Sequence, residues 1–385
     1  MATHSRHRSA AHRPLWLNVA ITGTTLALLV ASGTLALRAL GSDTGGGSSA
    51  SAAQLAASVP PFDIVSTSPS SGATNVAPDT TITVTLSSPV GADSPWPTLS
   101  PPMLGSWQAT TPTTLTFTPS GSFVPSTPVT LTIPGGKGGM VGAQGQRLAS
   151  GETVQFTIAP GSELRLQQLL AELGYLPVSF TPTNPVPVPA NEQALPQPGT
   201  FSWRWSTLPT SLQSLWVPGQ PNVITTGAVM AFEDNSQLTT DGIPGPQVWT
   251  ALLQAIAAGR TDPQPYDYVY VSKVLPETVT VWRDGAIAFT TLANTGIPAS
   301  PTPNGTWPVY LRYRSQTMSG VNPDGTHYSD PGIPWISYFY ESDALHGFIR
   351  ASYGFPQSLG CVEMPFSSAA VVWPLTPIGT LVTVQ

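Results

Sequence analysis

The sequence predicts a multidomain chain with four folded parts: an N-terminal transmembrane helix, a β-sandwich, a small α-helical bundle and a mostly-β C-terminal domain. Three observations lead to this fold class. An uncharged apolar run lies near the N-terminus, the residue spacing changes from period two to helical spacing near residue 162, and β-rich sequence returns after residue 265. The 385 residues are enough for two to three domains that each bury a core.

The composition excludes several classes of function. The chain has 14 Lys and Arg against 20 Asp and Glu, and three of those arginines precede residue 14. We expect no nucleic-acid partner, because phosphate recognition needs a basic surface. A single cysteine excludes intrachain disulfides and multi-cysteine metal sites. Outside the N-terminal tail only His327 and His346 remain, without nearby metal-ligand partners, so we expect no metal and no cofactor.

The N-terminus predicts a membrane anchor. Residues 1–14 carry Arg6, Arg8 and Arg13, and residues 15–37 are apolar and uncharged. As a helix those 23 residues span about 34 Å, enough for a hydrocarbon core of roughly 30 Å. The basic tail places the N-terminus in the cytoplasm and the rest of the chain outside the cell membrane. A cleaved signal peptide is the alternative, but its apolar region usually runs only about 7–15 residues.

Residues 38–60 are rich in Gly, Ser and Ala and predict a flexible linker. Residues 61–159 predict a β-sandwich, because apolar residues alternate with polar ones in short segments such as 82–86, 129–133 and 154–158. The string 68–76, SPSSGATNV, resembles the opening of bacterial Ig-like domains. The segment has no clustered acids, no histidine and no cysteine, so we expect it to be a spacer or stalk.

Residues 162–258 predict a helical bundle with an insertion at 177–223. Leucines recur at helical spacing from Leu166 to Leu173, Gly174 supplies a stop, residues 227–235 are helical, and Pro246 fits a first helical turn. The strings 173–176 and 241–249 resemble the three-helix peptidoglycan-binding domain, although a bundle that merely orients its neighbour fits as well. The insertion carries Trp203, Trp205 and Trp216, which indicate either a stacking surface for glycan or peptide, or packing onto a neighbouring domain.

Residues 266–385 predict the mostly-β domain, with a tight turn at Asp284-Gly285 and a helix at 367–373. Its informative residues are His346 and Cys361, fifteen positions apart. A thiol with an ordinary pKa of about 8.5 needs a base before it can attack a carbonyl at neutral pH. Cysteine with histidine therefore indicates acyl transfer through a thioester. An inert buried cysteine beside a core histidine is the alternative.

The order of five short strings resembles the L,D-transpeptidase catalytic domain of the YkuD type: 295–296, 302–306, His346-Gly347, 358–362 and 379–382. The resemblance implies that Cys361 is the nucleophile and His346 the general base. It also implies that Ser358 and Gly360 build the turn that presents the nucleophile. We expect the backbone N–H groups of Gly360 and Cys361 to stabilise the oxyanion.

The same resemblance implies cross-linking of peptidoglycan stem peptides and acylation by carbapenems. We expect Gly347, Arg350 and Tyr353 to contact substrate, the last two through its carboxylate. A solvated loop charge for Arg350 and a packing role for Tyr353 are the alternatives. Two positions depart from the usual pattern: Leu359 stands in place of a histidine, and Glu363 in place of arginine or asparagine. A non-catalytic wall-binding protein with a decayed site, and an L,D-carboxypeptidase that passes the thioester to water, therefore remain alternatives.

Overall fold

The computed structural model describes residues 59–183 and 194–385. The predicted cytoplasmic tail, the transmembrane helix at 15–37 and nearly all of the linker lie outside the described residues. Across the part of the chain that is described, no helix combines the length and the apolar character needed to cross a bilayer.

The N-terminal part of the described chain is a β-sandwich of two antiparallel sheets. One sheet has the order β1-β2-β5-β4 and the other β3-β6-β7. Ile82, Val84 and Leu86 point inward and are buried, as their alternation predicts, because successive strand side chains face opposite sides. The strands are β1 Ile64–Ser68, β2 Ile82–Leu86, β3 Thr98–Ser100, β4 Gly105–Thr111, β5 Thr114–Pro119, β6 Pro128–Ile133 and β7 Glu152–Thr157.

The central part is helical, with a small hairpin in the predicted insertion. Ser162 and Asn222 accept the backbone N–H groups of Arg165 and Thr225, which caps the first and third helices. Because Asn222 is the cap, the third helix begins four residues before the predicted start at residue 227. The elements are α1 Glu163–Glu172, β8 Val178–Pro182, β9 Gly199–Trp203, α2 Thr210–Gln213, α3 Val223–Asn235 and α4 Pro246–Ala257.

The insertion joins the helices to the C-terminal domain. The ring of Trp205 lies 5.2 Å from that of Trp282, and the Thr207 hydroxyl donates to the Gly285 carbonyl at 2.6 Å. The rings of Trp203 and Trp216 pack edge to face within the insertion, with their centroids 6.4 Å apart. Trp205 therefore packs onto the neighbouring C-terminal domain, which is one of the two interpretations that the sequence allowed.

The bundle and the C-terminal domain share one hydrophobic core. Tyr268, Trp282 and Leu381 pack in the same cluster as the leucines of α1. The two backbones approach closely at Gly227 and Gly379, where a Cβ on Gly227 would lie 2.6 Å from the Gly379 carbonyl oxygen. Glycine at both positions is what allows this approach.

The C-terminal domain consists of two sheets and one short α-helix, which continues into a 3-10 turn at Trp373–Leu375. The sheet orders are β12-β11-β10-β18-β13 and β14-β15-β16-β17. The predicted tight turn is present, with φ of +45° at Asp284 and +97° at Gly285. The elements are β10 Asp267–Ser272, β11 Thr278–Arg283, β12 Ala286–Leu292, β13 Gly305–Pro308, β14 Leu311–Val321, β15 His327–Tyr340, β16 Asp343–Gly347, β17 Val362–Met364, α5 Phe366–Val372 and β18 Leu381–Val384.

Candidate active site

Two parallel strands place the predicted nucleophile beside the predicted base. In the β16–β17 pair, Leu345 is opposite Val362 and His346 is opposite Glu363. Cys361 immediately precedes β17, so it lies next to the strand that carries His346. The sequence predicted this proximity, and both residues line one cleft of about 750 Å³.

His346 is held as a neutral imidazole with one free nitrogen. Only 3% of the residue is exposed, and its Nδ1 lies 3.0 Å from the Gly347 carbonyl oxygen. A carbonyl only accepts hydrogen bonds, so Nδ1 carries the proton and Nε2 has the lone pair. Burial lowers the pKa of His346, although the hydrogen bond to the Gly347 carbonyl and the charge of Glu363 each raise it. The ring is therefore suited to act as a base.

Gly347 itself does not line the cleft, which corrects the expectation that it contacts substrate. Its carbonyl fixes the tautomer of His346. A Cβ at this position would lie 2.9 Å from the Phe366 ring and 3.1 Å from Pro334, so the close packing of α5 and β15 leaves no room for a side chain. Gly347 supports the base rather than the substrate.

Cys361 is half-buried and lines the cleft. Its thiol donates to the Ser342 carbonyl oxygen at 3.8 Å, and within the described residues no hydrogen bond joins the sulfur to His346. Burial raises the pKa of Cys361 to about 12, the Ala344 backbone N–H lowers it, and Asp343 and Glu363 raise it further. A thiol–imidazole bond, which a base beside the thiol would make, is therefore absent among the described residues, and the thiol bonds to a carbonyl instead. Reaction requires the sulfur to leave Ser342 and reach the imidazole.

The turn before Cys361 is built by Ser358 and Gly360, as predicted. Gly360 has φ of +120°, which favours glycine. The Ser358 hydroxyl accepts the Gly360 N–H at 3.2 Å and donates to the Cys361 carbonyl at 2.5 Å. The Gly360 N–H is therefore already bonded, which corrects its assignment to the oxyanion. The Cys361 N–H has no acceptor among the described residues and remains available.

Hydrogen bonds that involve buried hydroxyl and carboxyl groups stabilise this turn. Thr302 donates to the Gly360 carbonyl at 2.6 Å and accepts the Gly296 N–H at 2.8 Å. Thr295, the residue before Gly296, is held in turn by Glu277, which accepts its N–H and its hydroxyl at 2.6 and 2.7 Å. Thr302 and Thr295 belong to the short strings noted in the sequence, but no role was assigned to them. Glu277 was missed, because no local pattern signals a partner 18 residues away.

Arg350 and Glu363 form a bidentate ion pair at the edge of the cleft. Nε and one terminal nitrogen of Arg350 each lie 2.8 Å from an oxygen of Glu363, and Arg350 also donates to the Gln357 carbonyl at 3.2 Å. Arg350 was expected to bind a substrate carboxylate. Its guanidinium is instead already paired with the carboxylate of Glu363, which corrects that expectation. A buried carboxylate needs such a partner, since an unpaired charge in the interior is costly.

Tyr353 also departs from its expected role. Its hydroxyl donates to the Phe348 carbonyl at 2.6 Å and accepts the Arg350 N–H at 3.1 Å. Tyr353 thus closes the loop between β16 and the turn and does not line the cleft. Its only polar atom is used within the protein, so it stabilises the loop that carries Arg350.

The cleft is bordered by the β14–β15 hairpin and by the turn that carries Cys361. In the described part of the chain, no three His, Cys, Asp or Glu side chains are grouped closely enough to hold a metal ion. What the site offers is one thiol, one neutral imidazole with a free nitrogen, and one unpaired backbone N–H. These are the elements of cysteine acyl transfer.

Comparison with known proteins confirms two of the resemblances. Residues 266–384 match the family model of the L,D-transpeptidase catalytic domain, YkuD, and residues 58–158 match that of a bacterial Ig-like domain. The chain therefore carries an L,D-transpeptidase catalytic domain behind an Ig-like domain. The resemblance of the bundle to a peptidoglycan-binding domain stays a prediction. No curated protein matches the chain.

Among solved structures, an L,D-transpeptidase from Mycobacterium smegmatis has 12% identity, with 85% of this chain and 100% of that chain covered and a TM-score of 0.29. L,D-transpeptidase 3 from Mycobacterium tuberculosis has 14% identity, coverage of 84% and 98%, and a TM-score of 0.29. The catalytic domain of an E. faecium L,D-transpeptidase acylated by ertapenem has 26% identity, coverage of 32% and 98%, and a TM-score of 0.29.

Proposed function

We propose that this protein is a peptidoglycan L,D-transpeptidase that works through a thioester on Cys361. The observation that carries the proposal is that Cys361 and His346 open into one cleft within the matched domain, with the imidazole tautomer fixed by Gly347. That tautomer directs the lone pair to Nε2, the nitrogen that the Gly347 carbonyl leaves free.

In the first half-reaction, Nε2 of His346 takes the thiol proton and the sulfur attacks the carbonyl of the third residue of a tetrapeptide stem. The oxyanion is stabilised by the free N–H of Cys361. When the tetrahedral intermediate collapses, the imidazolium gives its proton to the leaving amine, and the terminal D-alanine departs. The acyl group is left as a thioester on Cys361.

In the second half-reaction, a side-chain amine of another stem attacks the thioester carbon. His346 takes the proton from the amine and returns it to the departing sulfur, so the new amide forms and the thiol is restored. Water in place of the amine gives a tripeptide instead, which is the L,D-carboxypeptidase alternative. The non-catalytic alternative is favoured by one observation, the thiol that faces Ser342 rather than His346.

Incubation of the purified protein with tetrapeptide stems separates the three functions. Cross-linked dimers indicate transpeptidation, tripeptide alone indicates hydrolysis, and unchanged substrate indicates a wall-binding protein. A carbapenem should add its mass to the protein and not to a Cys361→Ala variant, which has no other thiol. His346→Gln should stop acylation, whereas the matched control His327→Gln should not, since His327 is exposed and outside the cleft.

We further propose that residues 15–37 anchor the protein in the cell membrane with the N-terminus in the cytoplasm. The Ig-like domain would then act as a spacer, and the helical bundle would bind peptidoglycan near the catalytic cleft. Holding the polymer at one module raises the local concentration of stems at the other. Sedimentation with purified peptidoglycan tests the bundle: Cys361→Ala should bind as the unmodified chain does, and absence of binding would remove this role.

A further inference from the structure

The catalytic cleft contains a carboxylate that the reaction as written above does not use. Asp343 is the first residue of β16, lines the cleft and is half-buried. Its side chain makes no hydrogen bond and no ion pair among the described residues, unlike Glu363, which is held by Arg350. An isolated aspartate before a strand carries no pattern, so the sequence alone does not predict a role for Asp343.

Asp343 lies directly against the turn that presents the nucleophile. A Cβ built on Gly360 would lie 2.2 Å from Oδ1 of Asp343 and 3.1 Å from Oδ2. The space that a side chain at position 360 would occupy is therefore filled by this carboxylate. Gly360 is followed by Cys361, and the carboxylate and the thiol line the same cleft, close enough for Asp343 to raise the pKa of Cys361.

The charges that face the cleft favour a cationic ligand. Asp330 and Asp343 line it without a salt bridge, and its one arginine, Arg350, is already paired. Burial, with a smaller effect of Glu341, raises the pKa of Asp343 to about 6, so the group is still ionised at neutral pH. A primary alkyl amine in water has a pKa near that of lysine, about 10.4, and arrives as an ammonium ion.

We propose that Asp343 is the residue that binds the acceptor amine, as its ammonium form, beside the thioester on Cys361. This rests on the proposed transpeptidase function and adds the group that selects an amine over water. The carboxylate accepts a charge-assisted hydrogen bond from the ammonium ion and orients its nitrogen toward the thioester carbon. An ammonium nitrogen has no lone pair, so the bound ion first releases one proton to solvent. The neutral amine then attacks, and His346 takes its second proton and returns it to the departing sulfur. Asp343 changes no covalent bond and acts by positioning.

The test uses Asp343→Asn in the full chain and follows the two half-reactions separately. Acylation is measured as release of D-alanine or as the carbapenem mass adduct, and it should be unchanged or slightly faster, since the carboxylate raises the pKa of Cys361. Transfer from the stem acyl-enzyme to a stem amine should fall about tenfold or more, the effect of losing a hydrogen bond to a charged group. Transfer to hydroxylamine, which is largely uncharged at neutral pH, should be unaffected.

Asp284→Asn is the matched control. It removes the same charge from an exposed turn outside the cleft and keeps the oxygen that accepts the Tyr266 N–H. Equal transfer to stem amine by Asp343→Asn and the unmodified chain would overturn the assignment. Equal slowing with both amines, or slower acylation, would also overturn it by indicating a structural or donor-binding role. An unmodified chain that forms no acyl-enzyme would overturn the proposed function itself, and with it the role of Asp343.

Discussion

Replacement of Arg350 by methionine tests whether the ion pair with Glu363 holds the site together. The change removes a guanidinium that makes two bonds of 2.8 Å to a carboxylate whose side chain is only 6% exposed. Breaking a fully buried pair costs about 3–5 kcal/mol of unfolding free energy. Because the Arg350 side chain is 30% exposed, solvent screens part of that effect, and we expect a loss of about 2–3 kcal/mol.

Urea unfolding followed by tryptophan fluorescence measures this loss, and a double-mutant cycle separates the pair from its surroundings. Arg350→Met with Glu363→Met replaces both charges by apolar side chains of similar length, so it should recover most of the stability and come within about 1 kcal/mol of the unmodified chain. A double variant as unstable as Arg350→Met would refute the reasoning, because the cost would then come from lost packing rather than from an unpaired carboxylate.

Arg350→Met should also shift the acid limb of the pH profile of acylation. Burial is the main cause of the lowered pKa of His346; Glu363 raises that pKa and Arg350 lowers it. Without Arg350 the unopposed carboxylate raises the pKa of His346, so the base is protonated up to a higher pH. The acid limb of the acylation profile should therefore shift to higher pH in Arg350→Met and to lower pH in Glu363→Gln. Shifts of the same sign would contradict this account.

Three further predictions follow from buried groups. The rate of acylation by a carbapenem should show no step near the ordinary thiol pKa of about 8.5, since burial raises the pKa of Cys361 to about 12 and His346 is already neutral at that pH; a rise with its midpoint near 8.5 would contradict the raised pKa of the thiol. Burial raises the pKa of Glu233 to about 7. The stability that its protonated form contributes is therefore complete below about pH 4.5 and is lost as the pH rises to 7. Glu233→Gln should raise the unfolding free energy at pH 8 by up to about 3 kcal/mol, which urea titrations at pH 5 and pH 8 would show. Gly360→Ala should lower acylation much more than the control Gly259→Ala, because both have positive φ but only the Cβ at position 360 meets a carboxylate.

The sequence was sufficient for the parts of the molecule that local patterns determine. The alternation at Ile82–Leu86 and the stop at Gly174, with φ of +88°, each depend on neighbouring residues and were predicted. The adjacency of His346 and Cys361 was also predicted, because only one cysteine and two histidines lie outside the N-terminal tail. In each case the signal is short-range, or the choice among residues is small.

The roles of individual groups in the site could not be predicted, because they depend on which partner reaches an atom first. Arg350 was expected to bind substrate, yet Glu363 is thirteen residues away in sequence and reaches it in the folded chain. The Gly360 N–H was expected to face the substrate, yet the Ser358 hydroxyl accepts it. Asp343 was not considered, since its position against Gly360 arises only from the parallel pairing of β16 and β17.

The two departures from the usual sequence pattern have different physical consequences. Glu363 introduces a charge, but Arg350 neutralises it and the two backbones of Glu363 and Asn294 exchange hydrogen bonds of 2.9 Å, so the site keeps its geometry. Leu359 removes an imidazole, and its carbonyl is held by the Ser300 hydroxyl at 3.0 Å. His346 is therefore the one imidazole that lines the cleft as described. A single base must then serve both half-reactions and both acceptors. The preference for an amine over water therefore depends on the groups that bind the acceptor.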